Sequence, residues 1–435
     1  MGPSRPTDPA RPPRVLVGLG ETAGYCALLA EGLRAAGARA DHLNLGPDPM
    51  RYATGPSRRL VRLARWLGAR RRSGPGPRAA WAAAHRLAMA WLFLDAVRRY
   101  DAFVLRAGDS FFALRDLPLL RRLGKRVVVV FFGSDSRPSY LNGAEIAAGQ
   151  DGARAAAITG AKRRMVERTE RHATAVVCHP MSAQLHRRRA VAFLAMGIPR
   201  RLDELTAPRP PADGTVRFLH APSRPHDKGS ERIRAAIDDA RAAGAQVELR
   251  VVTGRPNAAV LDAIRESDVI IDQLYSDTPM AALAAEAAAL GRPAIVGGYG
   301  WEALRAVEAD EDLPPTHRCH PDELAEAIRR LADDRGYRLE LGERARRFVE
   351  ERWAPERVAE RYLALLRGEV PEAWWFDPGA VDYVHGAGAP EETLRAAVRG
   401  VLEAAGPEGL HLDDKPHLVD RLLALVSGEP VAASR

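Results

Sequence analysis

Cysteine, lysine and long apolar runs are all scarce in this chain, and each scarcity narrows what it can be. The 435 residues hold three cysteines, Cys26, Cys178 and Cys319, odd in number and far apart, so neither a disulfide framework nor a structural zinc site fits. Such cysteine usage suits a reducing, cytoplasmic setting. No segment carries the roughly 20 consecutive apolar residues of a membrane-spanning helix. The most apolar stretch, 79–97, is interrupted by His85, Arg86 and Asp95 and is expected as a buried helix. The opening MGPSRPTDPARPPR lacks the apolar centre of a signal peptide and is expected as a short Pro-rich disordered lead over 1–13. A GxSxG elbow, a Walker loop and an HExxH helix are missing as well, as is any aromatic-and-basic RNA motif or basic recognition helix, so no nucleic-acid partner is expected. The histidines, His172 and His179 among them, are scattered and are expected to be structural.

What is present describes a soluble globular protein, 46% hydrophobic and 28% charged, too long for a single core. The formal net charge of +8 favours anionic partners without naming one. Only four of the 64 basic residues are lysines, Lys125, Lys162, Lys228 and Lys415. Where arginine is the default cation, a lysine in a loop suggests a specific need.

The segment 267–298, SDVIIDQLYSDTPMAALAAEAAALGRPAIVGG, is the most informative. It runs from a buried strand through a loop and an alanine-rich helix to a Gly-Arg-Pro turn and a second buried strand, one βαβ unit with a single acid, Glu286, in its helix. The same alternation recurs on both sides. Strands are expected at 14–17, 102–105, 127–132 and 174–178, then, past a Pro-rich linker near 203–215, at 216–220, 247–252, 269–271 and 294–296. An α/β chain of two doubly wound, Rossmann-like domains with a cleft between them follows. Helices at 322–332, 340–352 and 355–367 close the second domain, and 371–435 is a helical appendage with no readable chemistry.

Ligands of such sheets bind at the carboxyl ends of the strands. HAPSRPHDKG, 220–229, follows a strand and precedes a helix, so its cations stand at a helix N-terminus, where backbone dipoles already favour anions. Arg224 offers a planar fork for phosphate oxygens and Lys228 a compact charge; a solvated basic turn is the plainer alternative. Glu286 is a carboxylate able to accept two hydrogen bonds from a ribose diol, or else a surface glutamate. The loop with Asp135 and Arg137 follows an apolar strand and could touch substrate or be a capped turn. Gly18-Leu19-Gly20-Glu21-Thr22-Ala23-Gly24 is one residue too long for a dinucleotide fingerprint; a loop letting an acceptor approach the backbone is the better functional reading. Asp310, Glu311 and Asp312 lack neighbouring histidines, so no metal site is expected. Residues 58–72, RRLVRLARWLGARRR, combine a cationic face with Leu60, Leu63, Trp66 and Leu67, and form a candidate peripheral membrane contact.

From about Arg14 to Arg367 the chain resembles the family-4-like glycosyltransferases of GT-B fold. The resemblance is carried by HAPSRPHDKG, by DQLYSDTPMAALAAEAAALGRP, by the first-domain segments YDAFVLRAGDSF and DLPLLRRLGKRVVVVFFGSD, and by RARRFVEERWAPERVAERYLALL. It implies an acceptor domain over 14–205, a nucleotide-sugar domain over 206–352 and a crossover helix over 353–370. It also implies sugar transfer from a nucleotide-diphosphate donor, with retention and with no cofactor or bound metal. The acceptor would be a glycan, a lipid-linked precursor or a small molecule. By resemblance, Arg224 and Lys228 hold the diphosphate and Glu286 the ribose, while the cleft residues Gly20, Glu21, Gly24, Asp135 and Arg137 face the acceptor. The family's sugar-reading glutamate is replaced by Thr278, so Asp277, Thr278 and the backbone near Pro279 and Met280 are expected to read the donor sugar. A nucleotide-sugar epimerase and a non-catalytic binding subunit are the alternative readings.

Overall fold

The computed structural model describes residues 12–46, 59–73, 78–201 and 214–428. The expected lead over 1–13 and linker near 203–215 lie almost wholly outside these residues. The chain packs as two compact units, each assembled from three stretches of sequence: 1–132, 167–177 and 355–372 in the first, and 133–166, 178–354 and 373–435 in the second.

The first unit is built on five parallel strands: β1 (Arg14–Val17), β2 (Arg39–His42), β3 (Ala102–Arg106), β4 (Arg126–Val130) and β5 (Ala175–Cys178). The runs AFVL and VVVV in the middle of this sheet are buried throughout, as strands covered on both faces require. Strand order is β2-β1-β3-β4-β5, so the direction of winding reverses between β1 and β3. After β1 the chain turns through Gly24, at φ 79°, into the helix Tyr25–Ala35. That helix lies against the helix Pro355–Arg367 so closely that a Cβ on Gly32 would stand 2.0 Å from the Pro355 carbonyl oxygen, and Tyr25 and Tyr362 share a hydroxyl hydrogen bond of 2.7 Å.

Helices Arg59–Ser73 and Arg78–Arg99 pack on each other, with Trp66 and Trp81 edge to face at 5.5 Å. The second corrects the expectation of a buried helix. Its Ala88, Met89, Leu92, Phe93 and Ala96 are covered, whereas Leu87, Trp91 and Leu94 are 67%, 66% and 47% exposed. An apolar stretch of that length carries more large side chains than one face can cover.

The second unit holds a five-stranded parallel sheet and a short antiparallel pair. In chain order its strands are β6 (Ala190–Ala192), β7 (Val216–His220), β8 (Val247–Val251), β9 (Val269–Ile271), β10 (Ala294–Gly297), β11 (His317–Cys319) and β12 (Trp375–Phe376). The sheet runs β8-β7-β9-β10-β11, repeating the order of the first unit, and β12 pairs antiparallel with β6. Phe218, Val269, Ile271 and Ile295 of the sheet pack with Ile233, Ile237, Ile328 and Leu331 of the covering helices. Reversal of strand order falls between β7 and β9, which places the loops 221–229 and 272–281 at the crevice where such sheets take ligands.

The appendage is part of this unit. A Cβ on Gly152 would stand 1.9 Å from the Gly400 carbonyl oxygen in the helix Glu391–Ala405, so the two backbones touch. Tyr140 donates to the Leu410 carbonyl at 2.9 Å, Arg163 pairs with Asp414 at 2.6 Å, and the buried Lys415 ammonium donates to the His186 carbonyl at 2.5 Å.

Candidate functional site

The loop after β7 is set by three residues. His220 closes the strand fully buried, with Nδ1 2.8 Å from the Ile271 carbonyl and Nε2 2.8 Å from the Ser230 hydroxyl. A carbonyl only accepts, so Nδ1 carries the proton and Nε2 accepts from serine. Burial pulls this imidazole down to about 4, so it stays neutral and ties β7, β9 and the start of the helix Ser230–Ala242 together. Gly229 takes φ 72° and lies so near Leu274 that a Cβ would come within 2.7 Å of its side chain, leaving glycine as the residue that fits before the helix. No side chain caps that N-terminus.

Arg224 is largely exposed and pairs with Asp227 at 2.9 Å. The Lys228 ammonium donates to the side-chain oxygen of Gln273 in the other loop. Its pKa is lowered from the ordinary lysine value by desolvation and further by Arg224, against the pull of Asp272 and Asp277.

In the loop after β9, Ser276 works as a clasp: its hydroxyl accepts from the Gln273 amide at 2.5 Å and from the Thr278 N–H at 3.1 Å, and donates to the Thr278 carbonyl at 2.8 Å. Thr316 donates to the Pro279 carbonyl at 2.9 Å, and Met280 is fully buried beneath. Asp277 is buried and ion-paired with Arg137. Asp272 and Glu286 both have carboxyl pKa values raised by burial. Lys228 opposes the shift at Asp272; Arg200, and Asn257 donating to Glu286 at 2.9 Å, oppose it at Glu286.

Within the second unit, Lys228, Asp272 and Asp277 therefore share one electrostatic environment, joined by Arg224 on the Lys228 side and by Arg137 at Asp277. Asp135 lies in the one-turn helix Gly133–Asp135, held by Lys162, which donates to the Ser134 carbonyl at 2.9 Å and the Arg137 carbonyl at 3.1 Å. Gly20, Glu21 and Gly24 lie together in the first unit. There Glu21 turns inward, accepting from the N–H groups of Thr22 at 2.6 Å, Cys26 at 3.2 Å and Ala27 at 3.0 Å, and so caps the helix Tyr25–Ala35. The Arg106 guanidinium lies over Gly20, donating to the Glu21 carbonyl at 2.9 Å and the Thr22 hydroxyl at 2.8 Å. Residues 59–72 of the expected membrane contact are helical, with Arg58 outside the described residues.

Among the described residues, one group sets three metal-ligating atoms within 4.8 Å of one another: Glu21, Cys26 and His42. The Glu21 oxygens already serve three backbone amides. The Cys26 thiol is pushed well above its usual range, by burial first and then by Glu21 and Asp109, and so holds its proton.

Sequence reasoning passed over Gln273, Asn257 and Arg200, and took His179 as structural. Of these, Gln273 had a signal, since it stands beside Asp272 at the end of a buried strand.

No protein-family model and no curated protein match the chain. Solved structures do. Anabaena Alr3699/HepE in complex with UDP-glucose is 12% identical, with 82% of this chain and all of that chain covered at a TM-score of 0.50. The apo structure of OtsA is 11% identical, with 83% and 100% covered at a TM-score of 0.50. The chain has the GT-B fold. Within GT-B architecture, two parallel sheets of identical strand order are the two Rossmann-like halves.

Proposed function

We propose that this GT-B chain is a glycosyltransferase that moves a sugar from a nucleotide-diphosphate donor to a glycan, lipid-linked or small-molecule acceptor, with retention and without a metal. The observation that carries the reading is the bond from Lys228 to Gln273, which brings a desolvated cation and a carboxylate-rich loop together at the reversal of strand order. Departure of a nucleoside diphosphate leaves developing negative charge on its oxygens. Lys228, the uncapped N-terminus of the helix Ser230–Ala242 and the exposed Arg224 fork are the groups that stabilise it. A low-dielectric setting strengthens the Lys228 term, because the cation is poorly solvated before the anion arrives. Glu286, already oriented by Asn257, takes the ribose hydroxyls, and Asp277, Thr278 and the backbone at Pro279 and Met280 read the sugar. Asp135, Arg137 and the Gly20, Glu21, Gly24 loop serve the acceptor.

The protein is proposed to work in the cytoplasm, at the inner face of a membrane. No helix among the described residues is long and apolar enough to cross one. Instead the helices Arg59–Ser73 and Arg78–Arg99 expose Leu63, Trp66, Leu87, Trp91 and Leu94 beside arginines, and residues 59–94 contain no acid. Such a surface suits anionic headgroups over an acyl boundary.

Titration with a panel of nucleotide sugars and their parent diphosphates, followed by analysis of released nucleotide with and without candidate acceptors, tests the reading. Binding of a donor and acceptor-dependent release of diphosphate are expected. An absence of binding across the panel overturns it, and sugar isomerisation without an acceptor assigns the chain to the epimerases.

A further inference from the structure

Around the Arg137–Asp277 pair lies a polar cluster of the second unit that also takes in His179 and a segment of the C-terminal appendage. The Arg137 and Asp277 side chains form an ion pair while 6% and 8% exposed. His179, itself only 5% exposed, senses both of their charges, and so does the fully covered Tyr383. His179 Nδ1 accepts the Met181 N–H at 3.3 Å. The ring is neutral, burial having drawn it down to about 4, and its proton therefore sits on Nε2. Nε2 is buried with no hydrogen-bond partner among the described residues, and the Nε of Arg137 shares that condition. A buried donor left unpaired is costly, and native proteins retain one chiefly where a ligand or water serves it.

The appendage holds this cluster in place. Residues 381–389 are strapped to two neighbouring segments by backbone hydrogen bonds: Ala387 N–H to the Leu141 carbonyl at 3.1 Å, Gly143 N–H to the Ala387 carbonyl at 2.8 Å, and Gly388 N–H to the Tyr275 carbonyl at 2.8 Å. Gln184 donates to the Tyr383 carbonyl at 3.1 Å, and the Tyr383 hydroxyl closes the strap on itself through the Gly386 carbonyl at 2.9 Å. Glycine is needed there, since a Cβ on Gly386 would stand 2.3 Å from the Leu141 carbonyl oxygen. The Ser136 hydroxyl donates to the Ser182 carbonyl at 2.9 Å, joining the Arg137 segment to the His179 segment.

We propose that His179 is a specificity-determining residue: its Nε2–H donates to a hydroxyl oxygen of the donor's sugar while Asp277 accepts a hydroxyl proton, and the 381–389 strap positions the pair through Tyr383. The inference rests on the glycosyltransferase reading and adds the groups that replace the missing sugar-reading glutamate. A hydroxyl both donates and accepts, so an N–H donor beside a carboxylate matches a sugar hydroxyl better than either group alone. Tyr383 is a positioning residue, since its own hydroxyl is engaged by Gly386.

The test compares two affinities in the full chain: that for the best-bound nucleotide sugar of a panel of UDP-, GDP-, ADP- and dTDP-sugars, and that for its parent nucleoside diphosphate. In H179A and the bulkier H179F, diphosphate affinity stays within about twofold of wild type while nucleotide-sugar affinity falls about tenfold, the loss expected for one hydrogen bond to a buried group. H179Q, which retains an N–H donor, recovers part of it. In Y383F the KM for the nucleotide sugar rises with diphosphate affinity unchanged. Unaltered discrimination between sugar and diphosphate in both H179A and H179F overturns this inference alone. Equal loss of both ligands in H179F assigns His179 a structural role and overturns it too. Failure of the wild-type chain to bind any diphosphate overturns the underlying glycosyltransferase reading together with it.

Discussion

Lys228 donates its ammonium to the side-chain oxygen of Gln273, so the loop leaving β7 is tied to the loop leaving β9 across the point where strand order reverses. Under the proposed reaction a diphosphate entering there would compete with a neutral amide oxygen for a desolvated cation, and the anion is the stronger partner. Lys228→Ala is expected to lower kcat/KM for the nucleotide sugar by about 10²- to 10³-fold, the range seen when one donor to a developing oxyanion is removed. Gln273→Ala, which leaves the cation in place, is expected to cost no more than about tenfold. Steady-state kinetics of both variants check this; an unchanged rate in Lys228→Ala removes the lysine from the chemistry.

In the proposed donor site Glu286 takes a ribose diol on the acceptor positions left to it, since Asn257 holds one oxygen. Glu286→Ala is expected to weaken nucleotide binding by about tenfold. Wild type should also prefer the ribonucleotide to its deoxyribose analogues, and the variant should bind them alike. Calorimetric titration with the two nucleotide series decides the point.

Glu308 gives the pH dependence of stability a defined sign. Burial, with Asp312 adding to it, raises its carboxyl to about 8, and Oε1 has no hydrogen-bond partner among the described residues. A folded-state pKa above the unfolded value means that the folded chain binds this proton more tightly. The contribution is therefore complete below the unfolded value near 4.5 and is lost progressively as pH rises through about 8. Glu308→Gln should match wild type near pH 4 and exceed it at pH 9 by an amount on the order of a few kcal/mol. Chemical unfolding at the two pH values measures it, and a gap independent of pH would contradict the assignment.

The exposed tryptophans of the two-helix pair can be examined without touching the nucleotide site. Trp66→Ser with Trp91→Ser should reduce sedimentation with anionic vesicles at least severalfold, and raising the salt should weaken wild-type binding, as expected for arginines beside charged headgroups. Wild-type protein that stays in the supernatant at low salt refutes membrane docking.

Gly32 tests the packing of the first unit. With the Pro355 carbonyl oxygen 2.0 Å from the position of an added Cβ, Gly32→Ala must separate two helices, at roughly 1–3 kcal/mol or more. A Tm lowered by several degrees in a thermal melt is the expected outcome.

Both sheets could be read from the sequence where their strands are central, because VVVV, VII and AIVG are runs that need cover on both faces. Two of the edge strands could not: RADH of β2 and HRC of β11 pair on one side only, and polar side chains are tolerated there, whereas the edge strand β8, VELRV, still reads as a strand at 247–252. The helix Arg335–Arg352 begins earlier than the expected 340 because Asp334 caps it by accepting from Tyr337 N–H at 2.8 Å, which outweighs the weak propensity of Gly336. Lys228 was singled out by the rarity of lysine, and the other three lysines prove as specifically placed: Lys125 donates to the Tyr100 carbonyl at 2.7 Å, while Lys162 and Lys415 cap carbonyls of distant segments. His179 carried no such mark. Its unpaired nitrogen, the Arg137–Asp277 pair and the bond from Gln184 to the Tyr383 carbonyl are products of tertiary assembly, in which residues far apart in the chain meet.

The hydrogen bonds between Leu141, Gly143 and Ala387 also order events in time. A ribosome delivers the N-terminal portions first, so a nascent chain has made Arg137, His179 and Asp277 long before the segment that straps them exists. Translation must pass residue 389 before the cluster can be held as described. A message cut short after codon 367 and before codon 381 would thus supply every strand of both parallel sheets and the helix Pro355–Arg367, yet none of the segment that holds this cluster.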